Sequence, residues 1–266
     1  MITGRTQLLP IVADPIAHVR TPAIFNEFLA ARGVDAVVVP VHVGAQSLRT
    51  VVEAMRSMHN VRAIIVTVPH KIAIVALCDD LHPSARLMGA VNLVRREPDG
   101  RLVGGNFDGA GMVAALEAEL GPIAGRSVHV AGAGGVARAI AFAVAQAGAA
   151  RLSIHNRSDD KAAALLDAVK QAFPNVATER AGTRPSACDI AINATSLGLE
   201  LDDALPFDVD ALPPTAAVAE VVMNPLMTPL LVRAQARGLR IVKGNAMLEH
   251  QLAAWIRFLG LQEKRA

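Results

Sequence analysis

A glycine-rich segment in the middle of the chain has the spacing of a loop that binds phosphate groups. Directly after the apolar run 127–131 comes the segment Gly132-Ala133-Gly134-Gly135-Val136-Ala137. The first glycine permits a tight turn, the second lets a backbone approach a pyrophosphate, and Ala137 lets helix and strand pack closely. A helix that begins here directs free N–H groups at the phosphates. We predict a dinucleotide site that includes Gly132, Gly134, Gly135, Val136 and Ala137, although an ordinary glycine-rich turn has the same composition.

The end of the following strand bears on which dinucleotide is bound. An NAD-preferring site usually has an acidic residue there that accepts a hydrogen bond from the ribose 2′-hydroxyl. This chain has Asn156 at that place, followed by Arg157. A guanidinium can pair with a 2′-phosphate, so we expect NADP. Asp159 and Asp160 follow closely and leave NAD possible.

Two alternating series of strands and helices must position these residues. Strand-like apolar runs separated by helix-length segments are typical of βαβ units and parallel sheets, so the predicted fold class is α/β. In the first series, strands are expected at 8–13, 36–43 and 63–68, helices at 22–32 and 48–58, and a hairpin at 91–105. After a helix at 112–120, the second series has strands at 127–131, 152–155, 189–193, 216–222 and 240–242, and helices at 137–147, 161–173, 228–237 and 247–259. The pattern restarts near Asp108, where we place a domain boundary.

Composition excludes several classes of protein. The 266 residues are 52% hydrophobic and 19% charged, which argues against disorder, and the net charge of +2 has no basic block that would indicate nucleic acid. The chain has no tyrosine, so a mechanism with a Tyr/Lys pair is excluded. Cys78 and Cys188 are isolated, so neither a zinc site nor any other metal site is expected. We see no secretory signal and no membrane-spanning run, which makes the cytoplasm the expected location.

Five short segments, in order along almost the whole chain, resemble the shikimate dehydrogenase family. They are Ile65-Val66-Thr67-Val68-Pro69-His70-Lys71, Gly89-Ala90-Val91-Asn92, Gly105-Asn106-Phe107-Asp108-Gly109, Asn193-Ala194-Thr195-Ser196-Leu197-Gly198 and Met247-Leu248-Glu249-His250-Gln251. Each segment alone is weakly specific, but the ordered set is specific.

The resemblance implies an architecture and a reaction. Residues 1–107, completed by the C-terminal helix 246–266, would form a substrate domain, and residues 108–245 a Rossmann domain, with the active-site cleft between the two. The implied reaction is reversible hydride transfer between NADP(H) and a ring alcohol or ketone of shikimate, quinate or a close analogue, as in aromatic amino acid biosynthesis. The implied partner is a small hydroxy acid, with no nucleic acid and no membrane, and the protein would be a monomer or homodimer.

The resemblance also assigns residues to these roles. It makes Lys71 and Asp108 the catalytic pair, and it makes Thr67, Asn92 and Gln251 contacts of the substrate hydroxyls. Thr195, Ser196 and Gly244 join the cofactor-binding residues.

The chemistry of the catalytic pair is sound on its own terms. Oxidation of a secondary alcohol requires a proton to leave the oxygen as a hydride leaves the carbon. A lysine within hydrogen-bond reach can take that proton, and a carboxylate can hold the alcohol in place. Without the resemblance, Lys71 would be interpreted as a solvated lysine and Asp108 as the N-cap of a helix that begins at Gly109.

The segment 15–22 and a segment near residue 223 depart from the family. In shikimate enzymes two serines of the first segment hold the substrate carboxylate, and here they are Val19 and Thr21. The family's tyrosine in the second segment is Met223. We expect these three residues to line the substrate site, and we expect its carboxylate end to be less polar than in the family.

Three alternatives remain open from the sequence. The enzyme could act on a different hydroxy acid with NAD. The chain could instead be a cofactor-binding protein with little turnover, although Lys71 and Asp108 are retained. A methyltransferase also has a glycine loop after its first strand, but the spacing of the loop and Asn156-Arg157 favour a dinucleotide.

Overall fold

The computed structural model describes residues 2–185 and 187–261. Within them the chain forms two compact units. The first unit takes residues 2–107 and 251–261, and the second takes residues 108–250. Among the described helices, none is long and apolar enough to cross a lipid bilayer.

The first unit is built on a mixed six-stranded sheet. Its strands are β1 (Gln7–Ala13), β2 (Ala36–His42), β3 (Ala63–Val66), β4 (Asp80–Leu81), β5 (Leu93–Arg96) and β6 (Leu102–Gly105). Their spatial order is β2-β1-β3-β5-β6-β4. The pairs β1–β2 and β1–β3 are parallel, whereas β5 pairs antiparallel with both β3 and β6. The predicted hairpin is therefore present, and the sheet of the first series is only partly parallel because that hairpin joins it.

The helices of the first unit are α1 (Thr21–Ala31), α2 (Leu48–Ser57) and α3 (Pro83–Met88). Helix α1 has Pro22 in its first turn and ends before Gly33, whose φ of 62° suits a helix terminus. The two aromatic rings of Phe25 and Trp255 meet edge to face, 5.4 Å apart, and join α1 to the C-terminal residues of this unit.

The second unit is a parallel six-stranded sheet. Its strands are β7 (Ser127–Ala131), β8 (Arg151–His155), β9 (Ala177–Arg180), β10 (Ile190–Asn193), β11 (Ala217–Glu220) and β12 (Arg240–Val242). The spatial order is β12-β11-β10-β7-β8-β9, with every neighbouring pair parallel. This order reverses direction between β7 and β10, which is the doubly wound arrangement of dinucleotide-binding sheets.

The helices of the second unit are α4 (Asp108–Leu120), α5 (Gly135–Gln146), α6 (Asp159–Ala172), α7 (Pro229–Ala236) and the start of α8 (Gly244–Leu259). The last residues of α8, from Gln251 onward, belong to the first unit. Helix α5 is rich in buried alanines, because small side chains let a helix lie close to the sheet.

The predicted elements are present with bounds within four residues, and the largest difference is at α4. The prediction began this helix at 112, whereas it begins at Asp108. Gly109 and Gly111 have low helix propensity, but tight packing on α5 overrides it, since a Cβ on Gly109 would lie 2.1 Å from the carbonyl oxygen of Ala139. The sequence does not predict helix α3 and strand β4, which are too short to show a period, or strand β9, which is partly polar.

Candidate active site

In the first unit, the candidate substrate residues follow the carboxyl ends of adjacent parallel strands. Thr67 comes directly after β3, and Thr21 begins the helix after β1. The two loops are tied to each other where they leave the sheet, since the backbone N–H of Asp14 donates to the carbonyl of Val68 at 3.1 Å. Thr21 is buried and Val19 is half-buried.

Lys71 lies in a tight turn held by its neighbours. Its carbonyl oxygen accepts a hydrogen bond from the N–H of Val91 at 2.8 Å. The imidazole Nε2 of the preceding residue, His70, lies 2.7 Å from the carbonyl oxygen of Val43. Only 8% of Lys71 is exposed. The interpretation of Lys71 as a solvated lysine is therefore wrong, because the residue is largely withdrawn from water.

Asn92 and Gln251 form a buried pair of amides. The Nδ2 of Asn92 donates to the Oε1 of Gln251 at 3.3 Å, and its Oδ1 accepts from the backbone N–H of Phe107 at 3.0 Å. The carbonyl of Asn92 accepts from the N–H of Val66, next to Thr67. The structure thus brings two candidate substrate residues, Asn92 and Gln251, into direct contact and ties Asn92 to the strand that ends just before Thr67.

In the second unit, the candidate cofactor residues all follow the carboxyl ends of parallel strands. Gly132 follows β7, Asn156 follows β8 and Thr195 follows β10, and these three strands are neighbours. The reversal of strand order lies between β7 and β10, and ligands of such sheets bind in the crevice at that point. Met223 and Gly244 follow β11 and β12 along the same edge.

The glycine loop has room where a pyrophosphate would approach. Gly132 has a φ of +118°, and a Cβ there would lie 2.8 Å from the carbonyl oxygen of Ala194, so both backbone and space require glycine. Gly134 is the N-cap of α5 and has an ordinary extended backbone. A Cβ on Gly134 or Gly135 would meet no atom within 4 Å. These two glycines therefore leave an open cradle at a helix N-terminus, which fits a dinucleotide phosphate.

The segment after β8 presents Arg157 to solvent, whereas Asn156 is half-buried. The Nδ2 of Asn156 donates to the carbonyl of Ser158 at 2.9 Å and fixes the turn. Asp159, the acid that left NAD possible, accepts a hydrogen bond from Arg180 at 2.6 Å. Arg157 is the basic side chain nearest in sequence to the end of β8.

Thr195 is held by Asn193. Its backbone N–H and its hydroxyl both donate to the Oδ1 of Asn193, at 3.0 and 2.7 Å. Its hydroxyl oxygen accepts from the N–H of Leu197. Ser196 beside it is exposed. The loop after β10 therefore has a fixed conformation at the crevice.

Asp108 is buried, with 3% exposed, and lies in the first turn of α4. The helix includes Asp108 itself, so this residue is one position inside the helix rather than the N-cap before Gly109. A carboxylate in the first turn is stabilised by the helix dipole in either case. Among the described ranges 2–185 and 187–261, no group of three or more His, Cys, Asp or Glu side chains could hold a metal ion.

Glu220, to which the sequence alone assigned no role, lies at the end of β11, three residues before Met223. It is fully buried, and its carboxylate accepts hydrogen bonds from Asn193 and Thr228. Burial raises the pKa of the Glu220 carboxyl, an effect that these hydrogen bonds oppose. An acidic residue at the end of an otherwise apolar strand was the available signal.

Two family models match the chain. The model described as the shikimate dehydrogenase substrate binding domain matches residues 11–94, and the model described as shikimate / quinate 5-dehydrogenase matches residues 114–201. The shikimate dehydrogenase (NADP(+)) of Geobacter metallireducens is 38% identical, over 96% of this chain and 92% of its own.

Solved structures with similar folds include enzymes of different substrates. The ligand-free 5-ketofructose reductase of Gluconobacter sp. strain CHM43 has a TM-score of 0.88 and 33% identity, over 98% of this chain and 96% of its own. The shikimate 5-dehydrogenase of Listeria monocytogenes, in complex with shikimate and NAD, has a TM-score of 0.87 and 32% identity, over 98% and 94%.

Proposed function

Because the chain belongs to the shikimate dehydrogenase family, we propose that it is an NADP(H)-dependent oxidoreductase acting on a ring alcohol or ketone of shikimate, quinate or a close analogue. One observation carries this proposal. The open glycine cradle, Asn156-Arg157 and the Thr195 loop follow three neighbouring strands at the reversal of strand order. That edge is where such sheets bind dinucleotides.

The cofactor is held by groups of the second unit. The N–H groups at the start of α5 and the cradle at Gly134 and Gly135 suit the pyrophosphate. The exposed guanidinium of Arg157 suits the 2′-phosphate that distinguishes NADP from NAD. When bound, the nicotinamide supplies or accepts the hydride. NADP is also the cofactor named for the Geobacter relative, while the Listeria enzyme was solved with NAD.

The remaining chemistry is the movement of one proton at the substrate oxygen. We assign this proton to the ammonium group of Lys71, which is shielded from bulk water and held by its turn. In the reducing direction the ammonium gives its proton to the oxygen, and in the oxidising direction the amine takes it back. We assign to the carboxylate of Asp108 the role of accepting a hydrogen bond from the same hydroxyl, which orients it.

Substrate hydroxyls suit the amide pair of the first unit. Asn92 occupies the Oε1 of Gln251, which leaves the Nε2 of Gln251 as the donor toward a ligand. Thr67 follows Val66, whose N–H donates to the carbonyl of Asn92, and we assign its hydroxyl to the same substrate. These groups are neutral and short, which fits a polyhydroxylated ring.

A second candidate substrate class is favoured by the changed residues of the family's carboxylate-binding segments. Val19 and Met223 replace hydroxyl-bearing residues of the family, and only Thr21 retains a hydroxyl. A carboxylate that faces apolar groups loses hydration without replacement hydrogen bonds. The 5-ketofructose reductase named above acts on a sugar ketone, which has no carboxylate. A polyhydroxylated ketone without an acid group is therefore the alternative substrate.

A substrate panel tests the proposal. The absorbance of reduced nicotinamide is followed with NADPH and NADH against 3-dehydroshikimate, 3-dehydroquinate and ketoses, and with NADP and NAD against shikimate, quinate and polyols. We expect turnover with NADP(H) on at least one polyhydroxylated substrate, and lower kcat/KM with NAD(H). NADPH that binds without turnover on any substrate would instead indicate the cofactor-binding protein. Cytoplasmic location and a monomeric or homodimeric state stay predictions, the latter to be tested by light scattering.

A further inference from the structure

The carboxylate of Glu220 is the centre of a buried hydrogen-bond network at the carboxyl ends of the strands of the second sheet. Its Oε1 accepts from the backbone N–H groups of Val221 and Val222 at 2.8 and 3.0 Å. Its Oε2 accepts from the hydroxyl of Thr228 at 3.0 Å. The Nδ2 of Asn193 donates to both oxygens, at 2.8 and 3.1 Å. All these donors are neutral, and Glu220 itself has no exposed surface.

The charge of Glu220 determines which way the amide of Asn193 faces. A carboxylate only accepts hydrogen bonds, so it selects the NH₂ group of the amide. The Oδ1 of Asn193 is then turned toward Thr195, where it accepts from both the N–H and the hydroxyl. The NH₂ group also donates to the carbonyl of Leu197 at 2.8 Å. The polarity of one side chain therefore sets the donors and acceptors of the whole loop 194–198.

The loop in turn bounds the glycine turn after β7. At Gly132, a Cβ would lie 2.8 Å from the carbonyl oxygen of Ala194 and 3.3 Å from the Cγ2 of Thr195. Because the hydroxyl of Thr195 is engaged by Asn193, its methyl group is directed at this turn. A rotation of the Asn193 amide would consequently displace groups on both sides of the crevice.

We infer that Glu220 is a positioning residue, which acts through Asn193 and Thr195 to set the two loops that hold the dinucleotide. The inference rests on the proposed function, because it assumes that this crevice binds NADP(H). An apolar side chain of similar volume would be buried without desolvating a charge, but it would leave the Asn193 amide free to turn. The specific role of the charge is to select one orientation of that amide.

An exchange of the two polar groups tests the inference. In Glu220→Gln, the amide oxygen stays on the N–H groups of Val221 and Val222, and the new NH₂ group takes the place of Oε2, 3.1 Å from the Nδ2 of Asn193. The Asn193 amide then faces a donor beside the acceptor, so we expect it to turn in part of the molecules and Thr195 to lose its fixed acceptor. A buried donor left without an acceptor predicts a Kd for NADPH about 10-fold higher or more, measured by fluorescence titration. Asn193→Asp alone places two carboxylates together and should weaken NADPH binding similarly. The double variant restores a donor–acceptor pair between the two side chains but leaves the carbonyl of Leu197 facing a carboxylate, so NADPH binding should recover only in part, to between the wild type and the weaker single variant.

A matched control separates positioning from stability. Thr228→Val removes a hydrogen-bond donor to the same carboxylate, but Thr228 does not contribute to the chain of hydrogen bonds from Glu220 through Asn193 to Thr195. This variant should therefore lower the Tm and leave the Kd for NADPH unchanged. If Glu220→Gln does not fold, Thr195→Val tests the far end of the same path and should also raise the Kd about 10-fold.

The outcomes distinguish the inference from the proposed function. A folded Glu220→Gln or Thr195→Val variant with the wild-type Kd overturns the inference, as does a folded double variant that binds no better than the weaker single variant. Failure of the wild type to bind NADPH overturns the proposed function instead.

Discussion

Lys71 shows how much of a residue's role depends on its surroundings. An isolated lysine after a proline has no distinctive signal, and the residues alone favour a solvated side chain. In the structure the turn is fixed at Val91, and 8% of the residue remains exposed. A shielded ammonium group can transfer a proton to one bound oxygen without competition from water.

Replacement of this ammonium group should remove the proton step. Lys71→Ala is expected to lower kcat by roughly 100- to 10,000-fold, the usual contribution of a general acid–base group, with the Kd for NADPH nearly unchanged. Lys170→Ala, at an exposed position of α6, is the control and should retain full turnover. Steady-state kinetics and fluorescence titration measure the two quantities, and wild-type kcat in Lys71→Ala would refute the assignment.

Arg157 should determine the choice between the two cofactors. Loss of one charged contact to a phosphate costs about 1.5–3 kcal/mol, so Arg157→Ala should weaken NADPH binding roughly 10- to 100-fold and leave NADH binding nearly unchanged. Arg240→Ala removes another exposed arginine, at the start of β12 and therefore at the opposite edge of the sheet, and should change neither Kd. An equal loss of affinity for both cofactors would contradict the role of Arg157.

At the scale of elements, the alternation of apolar runs and helices predicted the strand ends that carry the cofactor residues. The glycine loop could be placed between β7 and α5 because the spacing of its glycines is required by a tight turn and by the close approach of a phosphate to the backbone. The network of Glu220 could not be predicted, because it depends on the pairing of Asn193 with Glu220 across two strands. His129 is similar: it lies within an apolar strand and is fully buried, 3.0 Å from the Oγ of Ser153, with no sequence pattern that indicates this contact.

Short elements were missed for a different reason. Strand β4 has two residues and α3 has six, so neither is long enough to show a period of side-chain burial. Strand β9 has no buried residue, because it lies at the edge of its sheet, and its sequence is partly polar. Their positions are decided by tertiary contacts rather than by local sequence.

Substitution of glycines in the second unit should separate effects on cofactor binding from effects on stability. Gly134→Ala adds a methyl group where the structure has open space, so the Tm should be unchanged or slightly higher. The same methyl group occupies the approach of the pyrophosphate and should raise the Kd for NADPH roughly 10- to 100-fold. Differential scanning fluorimetry and fluorescence titration measure the two effects.

Two other glycines are the matched controls. Gly182→Ala also meets open space and should change neither the Tm nor the Kd. Gly109→Ala places its Cβ against the backbone of Ala139 and should destabilise the unit by about 1–3 kcal/mol or more. A Gly134→Ala variant that binds NADPH as tightly as wild type would show that no phosphate approaches this glycine.

At the scale of the whole molecule, the segments expected to bind substrate hydroxyls mostly keep the family's residue types, with changes at Ile65, Phe107 and Leu252, whereas the segments expected to bind the carboxylate do not. Family membership alone therefore identifies the reaction better than the substrate. In the family, three hydroxyls are expected to face the acid, and this chain supplies the one of Thr21. Two missing hydrogen bonds to a charged group would weaken binding by roughly 3–6 kcal/mol in total, less whatever water or the neighbouring Arg20 returns.

Restoring the hydroxyls should change the substrate preference. We expect wild-type kcat/KM for shikimate to be low relative to a polyhydroxylated substrate without an acid, and Val19→Ser with Met223→Tyr to raise it at least about tenfold, since each new donor contributes a charged hydrogen bond. Val39→Ser with Met58→Tyr makes the same two changes at exposed positions of the first unit and should have no effect on kcat/KM. Quinate belongs in the comparison because it carries the same acid. Efficient wild-type turnover of shikimate at micromolar concentration, or no gain in the double variant, would mean that another part of the protein receives the carboxylate. Arg20 would then be the first position to examine, because it carries a positive charge between Val19 and Thr21 and could pair with an anion.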